Sequence, residues 1–114
     1  MTEARTKVYI AGPVTGLPPD EVESDFSRYE KYLKSQGYEV VNPLKIVDDA
    51  ATWDEAMILC IYNLNKCDKA VFMENWQHSK GACMEMEFCI RQGIPILSRG
   101  IIREKWKEKA FQNK

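Results

Sequence analysis

Short apolar runs of strand type alternate along this 114-residue chain with segments long enough to form helices. The runs lie at residues 7–11, 38–41, 69–73 and 94–97. Parallel strands need a crossover of a dozen or more residues, usually a helix, and such crossovers are right-handed. The alternation therefore predicts an α/β fold of three layers, with a parallel sheet of strand order 2-1-3-4 and helices on both faces.

Capping signals predict where the first two helices begin. Thr52 and Glu55 have the spacing of a capping box, and Asp20 and Glu23 have the same spacing before the first helix. Both segments also repeat apolar residues at intervals of three and four, which predicts one buried face on each helix. These residues are Val22, Phe26, Tyr29 and Leu33 in the first helix and Trp53, Met57, Ile61 and Leu64 in the second.

The stretch most informative about chemistry is residues 79–89, which joins a turn of small residues to a helix carrying an acid. Ser79, Lys80 and Gly81 at a helix start offer unpaired N–H groups and the positive end of the helix dipole, which suits an anion such as phosphate. Glu85 follows about one turn later, on a helical face of small residues. This glutamate is either a nucleophile or base, or an ordinary surface charge, and Lys80 either neutralises a phosphate or is solvated.

The predicted strand order sets strands one and three side by side at the point where the chain reverses direction across the sheet. Ligand crevices form at such switch points, at the carboxyl ends of the strands. We expect the crevice between residues 12–17 and 74–81, with Tyr9 and Glu85 pointing into it from below. Within the second segment, Trp76 either stacks on a base or covers the loop.

Composition excludes several kinds of partner. The net charge is -1 and the pI is about 5.9, so the chain lacks a field that would attract nucleic acid polymers or anionic membranes. No apolar run is long enough to span a bilayer, and the polar N-terminus lacks the apolar core of a secretory signal. We therefore expect one cytoplasmic domain over residues 1–114. Basic residues alternate with glutamates in 101–111, an expected last helix, and are interpreted as a solvated face.

Sequence signatures of metals and common cofactors are absent. The four cysteines include no C-x-x-C pair, and the single histidine, His78, is not close to two of them along the chain. Neither a Walker A motif nor a G-x-G-x-x-G motif occurs. We therefore expect no metal and no cofactor.

Motifs on both sides of the expected crevice resemble those of a known family. The opening AGP-x-TG stands at residues 11–16, the segment W-x-x-SKGA-x-x-E at residues 76–85, and a Gly-Ile-Pro at residues 93–95. Together they resemble the nucleoside deoxyribosyltransferase superfamily over roughly residues 8–97, and most closely its small members. The resemblance implies a flavodoxin-like or Rossmann-like sheet. It also implies that Glu85 attacks the anomeric carbon of the sugar and expels the base, with Tyr9 orienting Glu85.

The same resemblance bears on the substrate. Nucleoside-type transferases carry an aspartate six residues before the nucleophile, whereas related nucleotide N-hydrolases carry a serine that binds a 5′-phosphate; this chain has Ser79. A hydroxyl and the Gly81 N–H at a helix start suit a phosphate that a carboxylate would repel. Gly12 and Pro13 are expected to hold the substrate from the first loop. The family also implies a homodimer or larger homo-oligomer.

Two positions depart from the family pattern. The family usually carries an acid on the helix before strand three, where this chain has Cys60, and some nucleotide hydrolases use an arginine in the first loop, where this chain has Thr15. The first hypothesis is an N-glycosidase that releases the free base from a nucleoside or deoxynucleoside 5′-monophosphate. A nucleotide-binding module without turnover and a nucleoside deoxyribosyltransferase are the alternatives.

Overall fold

The computed structural model describes residues 5–97, and within them three parallel strands form one sheet. The strands are β1 at Lys7–Ala11, β2 at Glu39–Val41 and β3 at Lys69–Phe72, in the order β2-β1-β3. Both neighbours run parallel to β1, which is the central strand. The predicted α/β class and the first three positions of the strand order are confirmed.

The predicted fourth strand, residues 94–97, is not formed within the described part of the chain. Ile96 makes a single parallel bridge with Ala70 of β3. The Ala70 N–H donates to the Pro95 carbonyl at 3.0 Å, and the Leu97 N–H donates to the Ala70 carbonyl at 2.8 Å. The segment thus lies beside β3, where order 2-1-3-4 expects it. The prediction of a strand was wrong because Pro95 has no N–H to extend the ladder.

Three α-helices connect and follow the strands. They are α1 at Pro19–Ser35, α2 at Trp53–Leu64 and α3 at Lys80–Gln92, with short 3-10 helices at Pro43–Lys45 and Trp76–His78. None of the helices in residues 5–97 combines the length and the apolar character needed to cross a bilayer.

The helix starts follow local chemistry. The predicted capping box of α2 is present, with the Thr52 hydroxyl accepting from the Glu55 N–H at 3.1 Å and the Glu55 carboxylate accepting from the Thr52 N–H at 2.9 Å. The cap predicted at Asp20 was wrong, because α1 begins at Pro19 with Pro18 at the N-cap position, two residues before Asp20, and has no side-chain cap. Proline suits the first helical position, since its fixed φ matches the helix and its missing N–H needs no partner.

The helices cover opposite faces of the sheet, as β1 shows by the alternation of its side chains. Val8 and Ile10 pack with the apolar face of α1, whereas Tyr9 and Ala11 belong to the cluster that α2 and α3 cover. All four apolar residues predicted to be inside α1 are buried. Tyr9 therefore lies on the face that carries two helices. The helix expected at 101–111 lies outside the described residues.

Candidate active site

Three polar side chains from three different elements meet beneath a cavity. Tyr9 projects from the middle of β1, Glu85 from the second turn of α3 and Cys60 from α2. Their exposed fractions are 0%, 5% and 8%, respectively. They are brought together because α2 and α3 both pack on the face of β1 to which Tyr9 points. We call these three residues the floor of the cavity.

Two polar atoms on this floor lack hydrogen-bond partners. Within residues 5–97, neither the Tyr9 hydroxyl nor Oε2 of Glu85 makes a hydrogen bond, although both atoms are buried. Buried polar groups in folded proteins are nearly always paired, so unpaired ones need an explanation such as a bound ligand or water. An added hydroxyl between them could accept from Tyr9 and donate to Glu85.

Burial sets the protonation of the floor. It raises the pKa of Glu85 to about 7, and the nearby Tyr9 hydroxyl partly lowers it, although the two groups do not meet hydrogen-bond geometry. Burial and then the Glu85 charge raise the pKa of Tyr9 above its usual range. Burial also raises the pKa of the Cys60 thiol. At neutral pH, Glu85 titrates while Tyr9 and Cys60 stay neutral donors.

The cavity above this floor has a volume of about 1170 Å³. The loop after β1 and the segment after β3 both line it, as expected for the crevice at a switch point. All six residues singled out from the sequence are among those lining it: Tyr9, Gly12, Pro13, Ser79, Gly81 and Glu85. Cys60 lines it as well. This volume is slightly larger than the roughly 300–1,000 Å³ of typical small-molecule sites.

One wall of the cavity is the start of α3. Ser79 is its N-cap, and its hydroxyl oxygen accepts from the Ala82 N–H at 3.2 Å, which leaves the hydroxyl hydrogen for another acceptor. Among the described residues, the N–H groups of Lys80 and Gly81 have no acceptor. These free donors at the positive end of a 13-residue helix are suited to an anion.

The opposite wall depends on Gly12, which follows β1. A Cβ on Gly12 would lie 2.7 Å from Sδ and 3.0 Å from Cβ of Met73, closer than side chains tolerate. The Met73 N–H donates to the Ala11 carbonyl at 2.8 Å, which holds the two strand ends together. Glycine is therefore needed for the loop to leave β1 beside Met73.

Some lining residues were not foreseen from the sequence. Arg28 and Tyr29 reach the cavity from α1, and Trp53 and Met57 reach it from α2. The position of Arg28 at the cavity could not be predicted, because a single arginine on the polar side of an amphipathic helix is expected to be solvated. Trp53 was expected only to pack inward as part of the apolar face of α2.

The structure decides between the two interpretations of Trp76. Its ring is half-buried and meets Phe72 edge-on, with centroids 5.5 Å apart, and it does not line the cavity. Trp76 covers the loop rather than offering a stacking surface there. His78, by contrast, is exposed and lines the cavity. Within residues 5–97, no group of three or more His, Cys, Asp and Glu side chains is arranged to hold a metal ion.

Comparison with protein families gives one match that spans most of the chain. The model of a domain of unknown function, DUF4406, matches residues 6–98. The chain belongs to the DUF4406 family. No curated protein sequence matches it.

Two solved structures resemble this DUF4406 domain. One is a 2-deoxyribosyltransferase from the psychrotolerant bacterium Bacillus psychrosaccharolyticus, with a TM-score of 0.61 and 17% identity over 80% of this chain and 69% of that chain. The other is a conserved protein from Enterococcus faecalis V583, with a TM-score of 0.60 and 20% identity over 82% of this chain and 62% of that chain. The fold is therefore shared with a 2-deoxyribosyltransferase, as the sequence resemblance implied.

Proposed function

We propose that this protein hydrolyses the N-glycosidic bond of a nucleoside or deoxynucleoside 5′-monophosphate and releases the free base. The observation that carries the proposal is the Glu85 carboxylate on the cavity floor. It is only 5% exposed, and its Oε2 has no hydrogen-bond partner although the Tyr9 hydroxyl is near. A buried acid with a perturbed pKa in a cavity is a recognised mark of a reactive group. The hypothesis from the sequence motifs concerns the same glutamate.

Glu85 acts as the nucleophile in two steps. One carboxylate oxygen attacks the anomeric carbon while the bond to the base breaks, and the bonding electron pair leaves with the base nitrogen, which takes up a proton. Water then attacks the anomeric carbon of the glycosyl ester and gives up a proton, the bond to Glu85 breaks, and the Glu85 carboxylate and the sugar phosphate are released. Covalent capture divides one difficult displacement into two easier ones. The nearby Tyr9 hydroxyl favours the ionised form of the carboxylate, and on substrate binding it orients the carboxylate for attack.

The two walls of the cavity bind the remainder of the substrate. The Ser79 hydroxyl and the free Gly81 N–H donate to the 5′-phosphate at the start of α3. Gly12 and Pro13 lie against the sugar from the loop after β1. Transfer of the glycosyl group to a second base requires the same ester on Glu85, and the likeness to a 2-deoxyribosyltransferase keeps this variant of the reaction as an alternative.

Cys60 favours a second candidate, a nucleotide-binding module without turnover. The thiol lies on the floor beside Tyr9 and Glu85, where the family resemblance leads one to expect an acid. A neutral thiol with a raised pKa is a poor substitute for a carboxyl group in holding the sugar or protonating the leaving base. A module keeps the cavity and its affinity but releases no base.

Base release decides between these candidates. The protein is incubated with a panel of ribo- and deoxyribonucleoside 5′-monophosphates and their matched nucleosides, and free base is measured by chromatography. We expect release from monophosphates that Glu85→Gln abolishes. The matched control is Glu87→Gln on the same helix, because Glu87 is exposed and paired with Arg91 at 2.6 Å. Saturable binding without release from any substrate would establish the module instead.

A further inference from the structure

A lysine and a tryptophan meet at the edge of the cavity. Lys80 is the first residue of α3 and Trp53 the first residue of α2, and both side chains line the cavity. The Lys80 ammonium nitrogen lies 4.6 Å from the centroid of the Trp53 ring. That distance is within the range of a cation–π interaction, which holds the ammonium over the ring face.

The helices that carry this pair are fixed relative to each other. Thr52 caps α2 and Ser79 caps α3, so each side chain leaves a defined first turn. The Met57 side chain of α2 reaches the start of α3, because a Cβ on Gly81 would lie 3.1 Å from Sδ of Met57. Both side chains therefore start from the capped first turns of neighbouring helices, and the contact with Trp53 restricts the ammonium.

The charge of this lysine is not neutralised by a carboxylate. Salt bridges among residues 5–97 involve Lys7, Lys34, Lys45 and Arg91, but not Lys80. Its position is also electrostatically unfavourable for the isolated helix, because a cation at a helix start adds to the positive end of the dipole. The first turns of α1 and α2 each contain two acids, whereas that of α3 contains none. A local rule broken at the wall of a cavity indicates a role in binding.

The ammonium is not alone among donors on this wall. The free N–H groups of Lys80 and Gly81 and the hydroxyl of Ser79 lie on the same turn and line the same cavity. The unpaired Tyr9 hydroxyl and Glu85 Oε2 on the floor independently point to a polar ligand in that cavity. A tetrahedral oxyanion would accept from the cation and from the backbone donors together.

We infer that Lys80 is the cation that binds the 5′-phosphate, and that Trp53 is a positioning residue that holds Lys80 for it. The inference rests on the proposed function for the identity of the ligand. The pair then gives the site its preference for monophosphates over nucleosides. Trp53 does not touch the sugar or the reacting atoms in this assignment.

Equilibrium binding tests the cation. Calorimetry in the Glu85→Gln background, which prevents turnover, compares each 5′-monophosphate of the panel with its nucleoside. Lys80→Met removes one charge-assisted interaction and should weaken monophosphate binding about 10-fold or more. Its affinity for the nucleoside should stay within about 2-fold of that of the protein with Lys80. Lys80→Arg should retain most of the affinity. An equal loss for both ligands, or no loss for either, would overturn the assignment.

A matched control is available on the outer surface. Lys66 also lies over an aromatic ring, that of Tyr62, at 4.1 Å from the centroid, but neither residue lines the cavity. Lys66→Met should leave both affinities unchanged. If Lys66→Met weakened monophosphate binding as much as Lys80→Met, the effect would come from the overall charge of the protein, which would contradict the proposal.

A double-mutant cycle tests the role of Trp53. Trp53→Leu should weaken monophosphate binding about 3-fold, and the double variant should bind no more weakly than Lys80→Met, because Trp53 acts only through Lys80. Additive losses would show that Trp53 contacts the ligand by itself.

The two proposals can fail separately. Selective loss of monophosphate affinity in Lys80→Met without base release from the native protein would retain this inference and reject the hydrolase. Base release from the native protein without selective loss of monophosphate affinity in Lys80→Met would retain the hydrolase and reject this inference. No binding of any ligand would reject both.

Discussion

Glu85 serves two opposing requirements at the scale of the single residue. Burial favours its neutral form and raises its pKa to about 7, whereas attack on a sugar needs the carboxylate. The Tyr9 hydroxyl works against burial by lowering that pKa. The balance between the two sets the pH at which the site becomes reactive.

The rate of base release should therefore rise with pH along a limb centred near pH 7, the folded pKa of Glu85. Tyr9→Phe removes a group that lowers this pKa, so the limb should move to higher pH and the maximal rate should fall. Initial rates measured by chromatography across the limb check both effects. A limb that stays in place or moves to lower pH in Tyr9→Phe would contradict the role given to the hydroxyl.

The same carboxyl group should make stability depend on pH. Its folded pKa of about 7 lies above the ordinary value of 4.5, so its contribution is fully present below pH 4.5 and declines as the pH rises to about 7. The total loss is on the order of 3 kcal/mol. Urea unfolding should show this decline in the native protein and a flatter profile in Glu85→Gln. Profiles that decline equally would assign the effect to other groups.

The sequence predicts some of these residues better than others. Helical periodicity alone put Glu85 on a face of small residues, and that face is buried. The contact of Lys80 with Trp53 could not be predicted, because it depends on how two helices distant in sequence pack against each other. Exposure of a lysine is the default expectation, and only tertiary structure shows the ring beneath it.

At the scale of elements, the ends of β1 and β3 depend on the missing side chain of Gly12. Gly12→Ala forces a methyl group against Cβ of Met73, which is attached to backbone and cannot move freely. The free energy of unfolding should fall by about 1–3 kcal/mol, as for other overpacked sites.

The control for this substitution is Gly81→Ala. Its added methyl meets only the flexible end of the Met57 side chain, so the loss should be smaller. Urea unfolding of the two variants gives the comparison. Equal losses of unfolding free energy in the two variants would show that the contact of Gly12 with Met73 has no special importance for stability.

The boundaries of elements were predictable where local chemistry decides them. The capping box of α2 is of this kind, because its two hydrogen bonds lie within four residues. The start of α1 was missed because Pro18 takes the N-cap position and Pro19 the first helical position, which leaves Asp20 inside the helix. The fourth strand was missed because a strand needs a donor at each ladder position, and Pro95 has none.

At the scale of the whole molecule, the outer face of α2 supports the expected homo-oligomer. Ile58 and Tyr62 are 70% and 59% exposed, and no charged residue stands between Glu55 and Lys66. Apart from the Lys66 ammonium, which lies over the Tyr62 ring at one end, this surface is apolar, as is typical of an interface. A second copy of the chain is the occupant we expect.

Ile58→Lys should weaken self-association, because it introduces a charge into the centre of that face. Sedimentation velocity across a range of protein concentrations measures the effect. Ser24→Lys is the matched control, since Ser24 is exposed on α1, across the sheet. A monomeric native protein, or an equal effect of both variants, would contradict the expectation.

The overall topology was predictable because right-handed crossovers leave few arrangements for strands that alternate with helices. The position of the cavity followed from the same rule. The part of the cavity wall formed by Arg28 and Tyr29 could not be predicted, because these residues reach the cavity from α1, on the other face of the sheet. Their contribution depends on how far α1 extends past the strand ends.

The central position of β1 has a consequence for biosynthesis. Tyr9 leaves the ribosome with the first strand, whereas Glu85 belongs to the last described helix. The two halves of the cavity floor meet only after nearly the whole described chain has been made, since β1 must wait for β3. A nascent chain in which α3 has not yet packed on the face of β1 therefore lacks Glu85 on the cavity floor.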